Sequence, residues 1–295
     1  MTTSTTAPTT HTVTTPDADV VFDVRGPLPP ADGRPPLLMI GQPMDGSGFT
    51  ALAGHFGDRT VVTYDPRGSG GRTTRKDGRT EVTPQDQAAD VHAVIGEVGG
   101  PVDLLASSGG AVTALALVAI HPDDVRVLVA HEPPLLGLLP DAEAAFAGQQ
   151  AYEQVYRERG WGAGMAAFIA YTSWPGEFTD DFAAHSTPDP GNFGLPVQDD
   201  GSREDPLLSG VSNAITAYRP DFEALASAPT RVVIAVGTES QQLLTGRTSV
   251  ATARALGQQA TVFPSHHGGF LGGEFGQSGE PAAFAAKLRE VLDSR

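Results

Sequence analysis

A serine hydroxyl does nucleophilic chemistry only when the chain presents it and a base takes its proton. The stretch Asp103-Leu104-Leu105-Ala106-Ser107-Ser108-Gly109-Gly110-Ala111-Val112 offers such a presentation: an apolar strand, five small residues, then a helix. A serine on a tight strand-to-helix turn needs small residues two before and two after it, because larger side chains collide where the chain reverses. Centring on Ser108 puts Ala106 and Gly110 there, a variant of the more usual Gly-x-Ser-x-Gly; Ser107 fits that flanking pattern less well. The bland alternative is a phosphate-binding turn. No Gly-x-Gly-x-x-Gly or Gly-x-x-x-x-Gly-Lys pattern and no nearby basic residue supports it. Of eight histidines, His11 lies near the start, His55, His92 and His121 in or beside helix-like segments, and His185 in a polar loop. His266 and His267 remain as bases, both just after the last strand-like run.

The elements that must position these groups alternate. Short apolar runs at 19–24, 36–40, 60–64, 102–106, 125–131, 231–236 and 260–263 suit strands covered on both faces. Helix-like segments lie between them at 84–98, 110–120, 249–256 and 281–292. Strand alternating with helix predicts an α/β fold with a mostly parallel, doubly wound sheet. The alternation stops from about 138 to 220, where helices at 142–159, 162–171 and 206–218 flank a Pro/Asp/Gly-rich link at 186–203. This segment is expected to be a helical cap over the carboxyl ends of the strands, where open α/β sheets bind ligands. The division is therefore a first core part at 17–137, a cap at 138–220 and a second core part at 221–295. Residues 1–16, Thr-rich and without a signal-peptide pattern, are expected as a flexible tail.

Composition narrows the partners. The 295 residues carry 19 Lys+Arg against 35 Asp+Glu, a formal charge of −16, and no basic cluster, which argues against nucleic acid and anionic membrane surfaces. The chain has no cysteine, which removes disulfides, thiolate metal sites and cysteine nucleophiles. No run of 18 apolar residues is present to span a bilayer, and the default address is cytoplasmic. Nothing in the residue pattern asks for a cofactor or a metal.

Two further turns complete a set. Ile40-Gly41-Gln42-Pro43-Met44-Asp45-Gly46-Ser47-Gly48-Phe49 and Asp65-Pro66-Arg67-Gly68-Ser69-Gly70 each follow a strand run, and Phe263-Pro264-Ser265-His266-His267-Gly268-Gly269-Phe270 follows the last one. In this order, with the Ser108 turn and a cap, the chain resembles the α/β-hydrolase superfamily from about residue 17 to its end. The resemblance implies a Ser-His-acid triad. His-Gly-Gly-Phe matches the family pattern best when His267 leads it, with His266 the alternative. The usual Gly-x-x-Asp acid turn reads Gly237-Thr238-Glu239-Ser240, which lacks the Asp. Some relatives place the acid after the strand that follows the nucleophile helix, and here that strand ends in His131-Glu132-Pro133-Pro134. Glu132 is thus the expected acid and Glu239 the reserve. The resemblance also implies an oxyanion hole from the backbone N–H groups of Gly109 and Gln42. Asp65 and Arg67 are expected to brace their loop.

A serine rather than a carboxylate nucleophile argues for acyl transfer to water. Met44, Leu135, Leu136, Trp174, Phe178 and Phe193 are the expected pocket residues, a wall suited to a bulky apolar ester or lactone. The acid placement and mid-sized cap resemble lactonases that open resorcylic macrolactones such as zearalenone. A cofactor-free perhydrolase, a carbon–carbon bond hydrolase on the same triad, and a non-catalytic ligand-binding relative are the competing readings. The expected partner is a small-molecule ester or lactone. A homo-oligomer is compatible with the resemblance, since relatives are often dimers or tetramers.

Overall fold

The computed structural model describes residues 7–69 and 71–294. They form a nine-stranded sheet ordered β1-β2-β4-β3-β6-β7-β8-β9, with β5 pairing on β2. The strands are β1 (Thr9–Thr14), β2 (Ala18–Arg25), β3 (Leu37–Ile40), β4 (Val61–Tyr64), β5 (Thr74–Arg75), β6 (Val102–Ser107), β7 (Val125–His131), β8 (Arg231–Gly237) and β9 (Thr261–Phe263). From β4 through β9 every pairing is parallel, whereas β1, β2, β4 and β5 meet antiparallel. Residues 9–14, expected as tail, form the edge strand: Thr9 to Thr14 pair in register with Val24 back to Asp19. Its alternating Thr, His and Val suit a pleated, mostly exposed edge. Residues 1–6 of that tail and Gly70 of the second turn lie outside the described residues.

The near-continuous apolar character of the central strands has a simple cause, since successive side chains point to opposite faces and both faces are covered. Leu38, Ile40, Leu104, Ala106, Leu128 and Ala130 join one core with the helices Pro84–Val98 and Gly109–Ile120. Leu37, Met39, Leu105, Val127 and Val129 join the other, with Phe49, Leu52, Phe56 and the helix Pro281–Asp293. Helix Pro84–Val98 starts where Thr83 caps the Asp86 N–H at 3.1 Å and stops at Gly99, whose φ of +79° lies in the left-handed region. Its face Ala88, Val91, Ile95 and Val98 repeats at helical spacing and is buried.

Between β7 and β8 the chain is helical. Helices Ala142–Arg159 and Trp161–Thr172 carry a separate apolar cluster, including Tyr152, Tyr156, Tyr171 and Phe178. The helix expected over 206–218 shrinks to Asn213–Thr216, because the chain turns at Gly210 with φ +86°. After β8 the helix is longer than expected, running Leu244–Ala255, which brings Thr245 into its first turn.

Arg67, 2% exposed, donates from Nε to Asp90 Oδ2 at 2.6 Å and pairs through Nη2 with the other oxygen, while Asp90 is fully buried. Asp65 accepts from the Gly46 N–H at 3.2 Å and from Arg72 Nε at 2.7 Å, tying the two strand-end turns together. Arg67→Leu leaves the Asp90 carboxylate buried without its partner and is expected to cost about 3–5 kcal/mol in urea unfolding, with the double variant Arg67→Leu/Asp90→Leu recovering much of it. A single-variant loss below about 1 kcal/mol would show a solvated, dispensable pair.

Candidate active site

Ser108 sits between β6 and the helix Gly109–Ile120 with φ +56° and ψ −128°, a backbone region that non-glycine residues occupy only under constraint. The turn is tight because the helix must start against the first strand-end loop. A Cβ on Gly110 would lie 2.8 Å from the Ile40 carbonyl oxygen and 2.9 Å from Gly41 Cα. That is the steric reason for the small residue two after Ser108. The Ser108 N–H donates to the His131 carbonyl at 2.9 Å, fastening the turn to the neighbouring strand end. Ser108 itself is half-buried, at the mouth of a cavity.

Glu132 follows β7, fully buried, with φ +51°. Its Oε1 accepts from the Gly237 N–H at 2.8 Å; its Oε2 accepts from Thr245 Oγ1 at 2.5 Å and from His267 Nδ1 at 2.6 Å. Burial pushes the carboxyl up, but the hydrogen bond from His267, the neighbouring imidazoles and the Thr245 hydroxyl outweigh it and hold Glu132 below its ordinary range. With Nδ1 engaged, His267 has Nε2 free, and its side chain is 42% exposed. Glu239 is an exposed loop residue whose carboxylate contacts no donor among the described residues. His266 faces elsewhere, accepting from the Gly268 N–H at 3.0 Å and reaching the Ser278 carbonyl at 3.2 Å. The hydrogen bond from Ser108 Oγ to His267 is not formed in this structure. Ser107 bonds His131 Nδ1 at 3.1 Å instead, and both are buried where no substrate carbonyl could reach.

Gly109 opens the helix after Ser108, so its N–H has no intrahelical partner. A Cβ on Gly109 would lie 3.1 Å from the Gln42 carbonyl oxygen, which places the two residues side by side. The Gln42 N–H likewise donates to nothing among the described residues. Two free donors next to a serine can meet a developing oxyanion.

The cavity beside Ser108 is small, about 70 Å³. Its cap-side wall includes Gln149, Tyr152, Leu207, Asn213, Ile215 and Thr216, joined by a polar chain in which Gln149 Nε2 bonds Asn213 and Thr216 Oγ1 donates to Gln149 Oε1 at 2.9 Å. None of the six expected pocket residues lines it. Met44 tucks under its own loop, where a Cβ on Gly41 would touch its Cε at 2.7 Å. Leu135 belongs to the sheet core, while Leu136 and Phe178 belong to the cap core, with Phe178 stacked 4.9 Å from Tyr171. Trp174 packs edge-on against Phe182 at 5.3 Å and lines a separate surface groove, and Phe193 is 43% exposed. The large apolar side chains pack into the segment's own core, and the cavity wall is left to a mixed set on the helices Ala142–Arg159 and Asn213–Thr216 and the loop before the latter. Thr245 and Gly237 were missed because only the folded chain brings them to Glu132; a Thr at the start of the helix after β8 carries no signal of its own.

One His/Asp group among the described residues has ligand atoms within 4.8 Å of each other: His92, His121 and Asp124. Its imidazoles are cofacial, 3.8 Å apart and inclined 7°, so their lone pairs run parallel instead of meeting at one point. Asp124 already bonds His92 Nδ1 at 2.7 Å. The cluster lies at the far end of the nucleophile helix, about 18 Å along its axis from Ser108.

A family model described as the alpha/beta hydrolase family matches residues 37–286. The chain belongs to this family. It is 27% identical over 276 residues to an uncharacterized hydrolase, YraK, of Bacillus subtilis (strain 168), covering 88% of this chain and 89% of the relative. Similar solved structures include an alpha/beta hydrolase from a Medee basin deep-sea metagenome library (TM-score 0.69, 15% identity, 97% of this chain and 98% of that one). A thermophilic esterase from Thermogutta terrifontis is also similar (TM-score 0.62, 20% identity, 97% and 98%). At these identities the structural likeness speaks for the fold. No helix among the described residues of this alpha/beta hydrolase is long and apolar enough to cross a membrane.

The arrangement sets Glu132 against Glu239 as the partner of His267. Glu132→Gln is expected to lower kcat on an activated ester by about 10³–10⁴-fold, as for a lost triad acid, while Glu239→Gln stays within about threefold. The reverse order in steady-state assays would reassign the acid.

Proposed function

We propose that this chain is a serine hydrolase that cleaves carboxylic esters or lactones by acyl transfer through Ser108 to water. The observation that carries this reading is the 2.6 Å bond between His267 Nδ1 and the buried Glu132, which leaves Nε2 as the base. His267 Nε2 takes the Ser108 Oγ proton as Oγ attacks the carbonyl carbon, and the oxyanion meets the N–H groups of Gln42 and Gly109. Collapse breaks the C–O bond, and His267 returns the proton to the leaving alcohol or, in a lactone, to the alcohol end of the opened ring. Water, deprotonated by the same imidazole, then attacks the acyl-serine and releases the acid. The reading requires Ser108 and His267 to close their gap when substrate binds, as catalytic hydrogen bonds often do. That a protein of similar fold, from Thermogutta terrifontis, is an esterase lends it support.

The 70 Å³ cavity favours a short acyl group over a macrolactone, because drug-sized ligands occupy about 300–1,000 Å³. A bulky resorcylic macrolactone such as zearalenone fits this reading only if the cap swings outward. A fluorophosphonate probe is expected to label the wild type and not Ser108→Ala, and the enzyme to hydrolyse p-nitrophenyl acetate or butyrate. Ring-opened zearalenone detected by chromatography would establish the wider pocket. A folded sample that neither labels nor turns over any ester would sink the hydrolase reading in favour of a ligand-binding protein.

A further inference from the structure

His131 is a buried titratable residue that acyl transfer does not use. It ends β7, is fully buried, and lies in register with Ser107 at the end of β6. Phe263, Phe270 and Phe284 surround its ring, with centroids 6.2, 6.2 and 5.3 Å away, and the His267 ring lies 6.1 Å off at 22°. Its Nδ1 meets Ser107 Oγ at 3.1 Å. Its Nε2 is buried without a hydrogen-bond partner among the described residues and lies 3.8 Å from Glu132 Oε1.

An unpaired buried nitrogen is costly, and the surrounding phenyl rings would accept an apolar side chain without that cost. The geometry gives the nitrogen a use. With the imidazole proton on Nε2, the N–H faces the carboxylate and Nδ1 accepts from the Ser107 hydroxyl. The other tautomer would aim a lone pair at that carboxylate in a dry site. Burial pushes the imidazole down to about 4, so it is neutral at neutral pH. The titratable groups that face it are Glu132, His266 and His267.

We propose that His131, held by Ser107, is a positioning residue that directs an N–H at Glu132 and so sets how strongly and at what angle that carboxylate grips His267. The proposal rests on the triad reading above. Two adjacent serines thereby have separate tasks: Ser108 faces the cavity, and Ser107 holds the ring of the imidazole behind the acid through Nδ1. Withdrawing an N–H from a carboxylate makes it more basic and strengthens its hold on a protonated imidazole. The acid limb of the kcat/KM profile therefore moves to higher pH when His131 is removed, and kcat falls because the carboxylate loses an orienting contact.

The test compares wild type, His131→Phe, His131→Gln and Ser107→Ala by kcat, KM and the pH profile of p-nitrophenyl ester hydrolysis. In His131→Phe, kcat is expected to fall about tenfold or more with KM within about threefold, and the acid limb to rise by about half a pH unit or more. His131→Gln, which can again present an N–H, recovers part of both effects. A folded His131→Phe with wild-type kcat and an unmoved limb overturns the proposal. If His131→Phe does not fold, Ser107→Ala decides: a limb displaced upward supports the proposal, and an unmoved limb overturns it. Fluorophosphonate labelling of the wild type separates the two levels. Absence of labelling removes the triad and this proposal with it; labelling combined with an unmoved limb removes this proposal alone.

Discussion

The organisation of the site hangs on one buried charge. Glu132 has no exposed surface, and a carboxylate in that position is tolerable only when every acceptor direction is met. Three parts of the chain meet it: the Gly237 N–H at the end of β8, Thr245 in the helix after β8, and His267 in the loop after β9. Each donor is far from Glu132 in sequence, so the carboxylate works as a tie between the first and second parts of the sheet. The close approach is also steric, since a Cβ on Gly237 would lie 3.0 Å from Glu132 Oε1.

Around that tie the sheet supplies direction. Parallel strands β6 and β7 end level with each other, so the turn after one presents Ser108 and the turn after the other presents Glu132. The two residues both carry positive φ, and the Ser108 N–H bonds the carbonyl of the residue before Glu132. Backbone strain at both turns is held by the rigid ladder beneath them. The first strand-end loop closes over Gly109 and Gly110, and Asp65 joins that loop to the turn after β4. The helical segment between β7 and β8, by contrast, has a core of its own and lines the cavity with both apolar and polar side chains, among them Leu207, Ile215, Gln149 and Thr216.

Much of this was legible before folding. The central strands announced themselves by near-continuous apolar runs, and helix Pro84–Val98 by its Pro start, Thr cap and terminal Gly. The Ser108 turn was legible because small residues at fixed offsets are a steric requirement. The edge strand Thr9–Thr14 was not, since an exposed polar strand lacks the apolar signal that marks a covered one. The pocket wall was misjudged for a related reason. Hydrophobicity measures the tendency to be buried, and Phe178 and Leu136 are buried in the cap core rather than beside Ser108. Thr245 and Ser107 went unread as partners because hydroxyl contacts across long separations leave no periodic trace.

The sequence by itself determined the kind of fold, the turn that bears Ser108, and the short set of acids and bases able to serve it. These follow from local sterics and from which faces must be covered, both written residue by residue. Only the tertiary structure decided which carboxylate meets His267, which serine of the adjacent pair lies behind His131, and which side chains face the cavity. Those choices depend on where strands of distant sequence end relative to one another, to within an ångström or two, and hydrogen bonds are formed or lost on that scale.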